Sequence, residues 1–374
     1  MSNNNNVVLV EEYLTTSGHK IGSLVLNKPK ALNALDLDMA SIMLDALNGW
    51  SKNDEIVCVV ISSHGDKAFC AGGDIVSMYN AMKTSDGTIP PFLESFFTTE
   101  YTLDYTIHNF SKPIIVWGSG IVMGGGMGLL CGASHRIVTE TSRLAMPEIT
   151  IGLYPDVGGS YFLPRLPGKS GLFLGLTGGN MNGADAMYVG LADALVDSSQ
   201  FDVLLENLKE HSWAEANLGQ QVTTVISELS SPVNPPVSNV EAHQDYIDGL
   251  CSGESCAEVV SAILSADMNN DKWLSRAQKT LSVGSPITAH LVFEQCQRGA
   301  ELSLADCFKM EAIMSCRCGE SGEFQEGVRA LLIDKDNNPK WQYPSVSNVP
   351  AEVIANYFAS PWSDETHPLK DLGA

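Results

Sequence analysis

The sequence predicts an α/β fold with mainly parallel strands, on three observations. Runs of strand length, "IVCVVIS" at 56–62, "PIIVWG" at 113–118 and "HRIVT" at 135–139, are apolar and rich in β-branched residues. Such near-continuous runs mark strands covered on both faces. Segments with helical character lie between and around them, and past residue 168 strand signals fade while helical patterns continue.

In chain order, 7–10 and 21–26 read as strands of a hairpin-like entry. Residues 37–50 carry apolar residues at helical spacing (Met39, Ile42, Met43, Ala46, Leu47), with Asp36 placed as N-cap. The three buried strands follow, and the glycine-rich "GGGMGLLCGA" between the last two reads as a helix. Helices are expected at 169–176, 183–190 and 201–211, with one short strand in "ADALV". The stretch 228–242 is Pro- and Ser-rich and reads as a linker. Amphipathic helices follow at roughly 255–265, 271–281, 287–299, 304–316 and 322–333, and then a Pro- and Asn-rich tail. This divides the chain into a core over 1–227, a helical region over 228–345 and a tail over 346–374. No repeat of fixed period is visible.

Composition excludes several function classes. With 44 acidic against 22 basic residues the formal charge is −22, a poor surface for nucleic acid, whose affinity comes from Lys and Arg neutralising phosphates. A polyanionic small ligand would need a local basic patch against that field. No apolar run is a convincing membrane span, so no membrane partner is expected. "MSNNNN" has neither an apolar signal region nor an Arg-rich transit pattern, so a cytoplasmic location is expected. The nine cysteines form no C-x-x-C pair, and with no H-E-x-x-H no metal is expected. Cys58 and Cys131 sit in apolar runs and read as small buried thiols. Of the eight histidines, none clusters with Cys or Asp, and His108 and His135 read as structural.

Three segments carry chemistry. "KAFCAGGD" at 67–74 follows a strand, and its glycines free the backbone to expose N–H groups, Gly73 foremost; an ordinary turn capped by Asp74 is the bland alternative. "GIVMGGGMG" at 120–128 also follows a strand. Glycine costs about 1 kcal/mol against Ala in a helix interior, so three in a row imply a close approach to that backbone. That approach is either a ligand at a helix N-terminus or tight helix–strand packing. The spacing is not G-x-G-x-x-G, so no dinucleotide site is supported. "MPEITIGLYPDVGGSYFLPRL" at 146–166 then sets two carboxylates, Glu148 and Asp156, in an otherwise apolar run, where a carboxylate is costly unless paired or hydrogen-bonded. Two amides gripping one carbonyl oxygen, with carboxylates at its carbon, is the arrangement that acyl chemistry requires. No G-x-S-x-G occurs, and "LPGKS" at 166–170 lacks the first glycine of a phosphate loop.

Together "LNKPKALNAL", "KAFCAGGD", "GSGIVMGGGMGL" and "MPEITIGLYPDVGGSYFLPRL" resemble the crotonase (enoyl-CoA hydratase/isomerase) superfamily, over about 7–345. "FQEGVRALLIDKDNNPKW" at 324–341 resembles its hydrolase branch. The resemblance implies a crotonase-like spiral of ββα turns with a C-terminal helical region that completes the site. It implies CoA bound in a bent shape, with the thioester carbonyl held by the amides of Gly73 and Gly125. It implies Glu148 as the catalytic carboxylate, attacking the thioester or activating water, with Asp156 as its partner. Glu100 in "TTEYTLDY" matches a substrate-contacting glutamate, though alone it reads as a solvated helix residue. Lys28, Lys30 and Lys67 lie in the segments that flank the CoA nucleotide. Hydratases carry a second glutamate two residues after the third glycine, and here that position is Gly128. The implied activity is therefore hydrolysis of a short branched 3-hydroxyacyl-CoA thioester in valine breakdown. CoA is then part of the substrate, and no separate cofactor is called for. The alternatives are an enoyl-CoA hydratase or isomerase, disfavoured by Gly128, and a non-catalytic acyl-CoA binding module, which has no need of both carboxylates. Family members often form trimers or pairs of trimers, but the extra C-terminal helices can cover that surface, so a homo-oligomer is possible and the oligomeric state stays open.

Overall fold

The computed structural model describes residues 6–373; the N-terminal "MSNNN", read above for targeting signals, lies outside them. The chain forms two compact units, each assembled from separate segments. The first takes residues up to Gly73, Thr102–Leu144 and Met181–Ser238; the second takes Asp74–Tyr101, Ala145–Asn180 and the chain from Asn239 on. The sequence expectation of a cut at 227/228 treats the units as continuous stretches, whereas here the chain passes between them repeatedly.

In the first unit, β1 (Val8–Leu14) and β2 (Lys20–Leu26) form the antiparallel hairpin expected at the start. The expected buried strands β3 (Ile56–Ser63), β5 (Ile114–Gly118) and β7 (His135–Thr139) join β2 in parallel, with β9 (Ala194–Val196) at the edge. A second sheet has the order β4 (Ala68–Cys70), β6 (Ile121–Met123), β8 (Arg143–Ala145). Each long strand is thus followed by a short one, and β4 and β6 lead into helices Ile75–Met82 and Gly125–Gly132. This is a ββα repeat. It leaves no fixed period in the sequence because the turns differ in length, and three-residue strands are too short to show alternation. The first unit's core gathers Ile21, Val57, Val60, Ile115 and Ile137 from the large sheet. Leu204, Leu208, Val222 and Val225 close over them from the helices Phe201–Glu210 and Leu218–Ser227.

Asp36 caps helix Leu37–Ser51 as expected, its side chain accepting from the Met39 N–H. The Pro- and Ser-rich stretch is a linker only to Ser238, since helix Asn239–Leu250 begins directly after it.

The second unit is mainly helical. Phe96, Phe97 and Tyr101 line up on helix Pro91–His108, and Tyr101 meets Phe308 of helix Leu304–Ser321 at 5.7 Å between ring centres. Helix Pro286–Gly299 packs beside the segment that carries Glu148 and Asp156. The tail is ordered rather than loose: helix Ala351–Tyr357 buries Ile354 and Tyr357, and Leu369 is buried near the end.

Candidate active site

The first unit presents the two glycine turns. β4 and β6 are parallel neighbours, with Ala68 opposite Ile121 and Cys70 opposite Val122, so the turns leave adjacent strands at the same end. They touch: a Cβ on Gly72 would lie 3.6 Å from the Met123 carbonyl. Gly124 has φ 48° and ψ −122°, a conformation that side chains rarely adopt, and it caps helix Gly125–Gly132. A Cβ at Gly126 would stand 2.4 Å from the Cys70 carbonyl, so tight packing accounts for that glycine. Gly125 opens the helix, where N–H groups have no intrahelical acceptor. Among the described residues neither the Gly73 nor the Gly125 N–H has a hydrogen-bond acceptor. The segment with Lys28 and Lys30 runs along the same turn, its Leu35 N–H bonded to the Gly72 carbonyl and the Ala71 N–H to the Leu32 carbonyl.

Asn33, fully buried, joins the lysine-bearing segments. Its Oδ1 accepts from the Lys28 N–H, and its Nδ2 donates to the carbonyls of His64 and Ala68, either side of Lys67. Lys28 itself is paired with Asp36 at 2.6 Å. Lys30 and Lys67 are exposed and form no ion pair among the described residues.

The second unit presents the carboxylates. Glu148 begins a single turn of 3-10 helix, Glu148–Thr150, and is only 4% exposed. Its Oε2 is buried and has no hydrogen-bond partner among the described residues. Burial, reinforced by the charge of Asp156, pushes its carboxyl well above the usual range. The turn is held from behind: the Ser285 N–H donates to the Ile149 carbonyl, and the Ser285 hydroxyl to Glu323 Oε1 at 2.8 Å.

Asp156 is equally buried, and burial raises it to about 6 against the pull of the Tyr101 hydroxyl, 2.7 Å from its Oδ2. The next residue, Val157, sits at φ 51°, a genuine outlier for a β-branched side chain. Such strain persists only where the surroundings over-determine it. Here the Glu311 carboxylate accepts from the N–H groups of Gly158 and Ser160 at 2.8 Å each, and Gln295 Nε2 donates to the Pro155 carbonyl. Burial pushes Glu311 up to about 8 despite those two bonds. The Tyr101 hydroxyl also lies 2.6 Å from Ser315 Oγ. Ser315 Oγ lies 2.8 Å from the Tyr154 hydroxyl, which donates to the Glu311 carbonyl at 2.7 Å.

Glu100 is 2% exposed, so the solvated-helix reading of that residue does not hold; it lies one residue before Tyr101 on a helix packed among aromatics. Sequence reasoning missed Tyr101, Tyr154, Glu311, Ser315 and Gln295. Tyr101 and Tyr154 stand inside the quoted motifs, but their partners come from 55 to 214 residues away.

A family model described as enoyl-CoA hydratase/isomerase matches residues 21–358. The chain belongs to that family. Among curated members of the enoyl-CoA hydratase/isomerase family, it is 38% identical to the mitochondrial 3-hydroxyisobutyryl-CoA hydrolase of Danio rerio, over 91% of this chain and 87% of the relative. It is 36% identical to the enzyme of that name from Homo sapiens, over 94% of this chain and 89% of the relative. Two solved structures of the family superpose with a TM-score of 0.83. One is an enoyl-CoA hydratase from Rhodobacter sphaeroides 2.4.1, 34% identical and covering 95% of this chain and 98% of that one. The other is a carnitinyl-CoA dehydratase from Mycobacterium thermoresistibile, 33% identical and covering 95% and 97%. The fold is therefore the crotonase-like α/β fold with a C-terminal helical region. Among the described residues no helix is long and apolar enough to cross a membrane, and no group of three or more His, Cys, Asp or Glu is placed to hold a metal.

Proposed function

We propose that this protein hydrolyses 3-hydroxyisobutyryl-CoA to the free acid and CoA. One observation carries the reading beyond the family: Glu148 keeps a buried oxygen without a partner while Gly128 replaces the second carboxylate that hydration uses. Adding water across a double bond needs one group to hold the water and another to move its proton to the α-carbon. Thioester hydrolysis needs one nucleophile or base and donors for the oxyanion, so it survives the loss.

In this reading the amides of Gly73 and Gly125 hold the thioester oxygen as it gains charge, each donor worth about 10²–10³ in rate. Glu148, stripped of water by its apolar turn, acts in one of two ways. It attacks the carbonyl carbon, breaking the C–S bond to release the CoA thiolate and leave a mixed anhydride that water then hydrolyses to the acid and free Glu148. Or it takes a proton from a water that attacks the same carbon and expels the thiolate. Asp156 orients the water or the substrate's 3-hydroxyl, and Glu100 contacts the acyl group. Lys30 and Lys67, with Lys28 behind them, face the CoA phosphates. No cofactor besides the CoA of the substrate takes part, and the product acid belongs to valine breakdown. The relatives are mitochondrial by name, and mitochondrion and cytoplasm are the two compartments to tell apart. Imaging of the tagged full chain separates the two compartments.

Purified protein incubated with 3-hydroxyisobutyryl-CoA and a thiol reagent, and separately with crotonyl-CoA, tests the activity. Release of free CoA from the first supports the proposal. Loss of enoyl absorbance in the second without CoA release from the first makes the protein a hydratase, and no change in either makes it a binding module.

A further inference from the structure

Four short oxygen–oxygen contacts run in series through the second unit. Asp156 Oδ2 lies 2.7 Å from the Tyr101 hydroxyl, Tyr101 2.6 Å from Ser315 Oγ, Ser315 2.8 Å from the Tyr154 hydroxyl, and Tyr154 2.7 Å from the Glu311 carbonyl. Tyr101, Ser315 and Tyr154 are fully buried. At these separations each contact is a hydrogen bond and needs one hydrogen between its oxygens. A hydroxyl owns one hydrogen, and a backbone carbonyl owns none. Three hydroxyls therefore supply three hydrogens for four contacts.

The count closes in one way. Tyr154 gives its hydrogen to the carbonyl, which has none to return. Ser315 then gives to Tyr154, Tyr101 gives to Ser315, and the contact with Asp156 is left for a hydrogen on Asp156. With Asp156 ionised, Tyr101 must turn toward it, and Ser315 can bridge only one of its two contacts. The other stays empty at 2.6 or 2.8 Å, in a place that water does not reach.

We propose that the Tyr101–Ser315–Tyr154 chain holds a proton on Asp156, making it the neutral member of the pair and leaving Glu148 to ionise. The three are positioning residues. Because the chain ends on a carbonyl it has no outlet, so it stores a proton and does not conduct one.

The surroundings favour the same state. The titratable groups facing Asp156 are Glu148, Glu311, Tyr101, Tyr154 and Cys318, with Glu100 acting on Tyr101, all acids and none a base. A buried cluster of acids is least costly with the fewest charges. Burial and the Tyr101 contact alone would ionise Asp156 before Glu148. That order assumes that Tyr101 donates to Asp156, and its one hydrogen cannot serve Asp156 and Ser315 together. On the hydrolase reading, on which this consequence rests, the single negative charge then falls on Glu148, whose Oε2 is unpartnered. Asp156 Oδ1 stays an acceptor for the substrate's hydroxyl.

The test is the infrared carboxyl stretch of the full-length resting protein near neutral pH, with no substrate present. The expected spectrum contains a protonated-carboxyl band that is absent from Asp156→Asn. Ser315→Ala leaves two hydrogens for two contacts, and so does Tyr154→Phe, so neither variant needs a proton on Asp156. In both, the pH at which the Asp156 band is half lost should fall by about one unit, the size of one buried hydrogen bond. A wild-type spectrum with no band that depends on Asp156 overturns the proposal. So does a band whose midpoint is unmoved in either folded variant, and two variants guard against one failing to fold. Because the band is read without turnover, a protein that releases no CoA but shows it refutes the hydrolase reading and leaves the proton assignment standing.

Discussion

Glu148 and Asp156 occupy one loop region and are equally buried, yet their oxygens meet different surroundings. Asp156 reaches a hydroxyl, and Glu148 has an oxygen that reaches nothing among the described residues. This difference predicts unequal effects of amide substitution. Asn at 156 can still donate to Tyr101 as the neutral acid does, so Asp156→Asn should lower turnover by less than about 10²-fold, against about 10²–10⁴-fold or more for Glu148→Gln. Steady-state rates of the two variants, each checked for folding, decide it. If Gly125 donates its amide to the thioester oxygen, Gly125→Val should remove about 10²–10³ of the rate without unfolding the chain. Normal turnover in a folded Gly125→Val protein would take that amide out of the mechanism. The two carboxylates were legible in the sequence because charge in an apolar run breaks the pattern that burial imposes. Tyr101 and Ser315 were not, since each looks like an ordinary helix residue until the chain brings them together across 214 positions.

At the scale of elements, the turn that carries Glu148 depends on backbone contacts with a distant part of the sequence. Gly152 has φ 71°, and a Cβ there would lie 2.5 Å from the Glu323 carbonyl, where helix Glu323–Val328 begins. Gly152→Ala should therefore cost roughly 1–3 kcal/mol, from the left-handed backbone and the clash together. Urea unfolding measures the loss, and an unchanged midpoint would show that the turn shifts freely. Strands β3, β5 and β7 and the helices over 37–51, 201–210 and 304–321 followed from periodicity and capping. The helix Pro91–His108 escaped because Phe, Tyr and Thr are weak helix formers with no clean polar face, and its stability comes from the aromatics it packs against. Strands β4, β6 and β8, at three residues each, are too short for any period, although two of them carry the glycine turns.

The whole molecule is acidic inside as well as out, and this fixes how its stability follows pH. Asp156 and Glu311 have folded values of about 6 and about 8, raised by burial. The folded protein thus keeps protons that the unfolded chain has released, and their contribution falls as pH rises from the ordinary carboxylate range toward those values. Glu326, Asp336 and Asp193, each beside an arginine, are held low, and their contribution is lost as pH falls through the acid range. Thermal melts should accordingly give a higher Tm near pH 5 than near pH 8. A Tm that rises over that interval would contradict the burial of these acids. The CoA phosphates must be met locally on a −22 chain, so Lys67→Ala should weaken CoA binding more at low salt than at high salt. Equal affinity at low salt would remove Lys67 from the nucleotide site. The division into two units was not readable, because each is assembled from segments far apart in the chain and composition records only neighbours in sequence.

Glu148 is the nucleophile or base on which thioester cleavage depends in this mechanism. Single-turnover release of CoA from 3-hydroxyisobutyryl-CoA, compared between the wild-type protein and Glu148→Gln at saturating enzyme, tests it most directly. The wild type should release CoA rapidly and Glu148→Gln should lose several orders of magnitude, with CoA-ester binding largely intact because the amide keeps the shape without the charge. Release at near wild-type rate by a folded Glu148→Gln protein would contradict this role of Glu148.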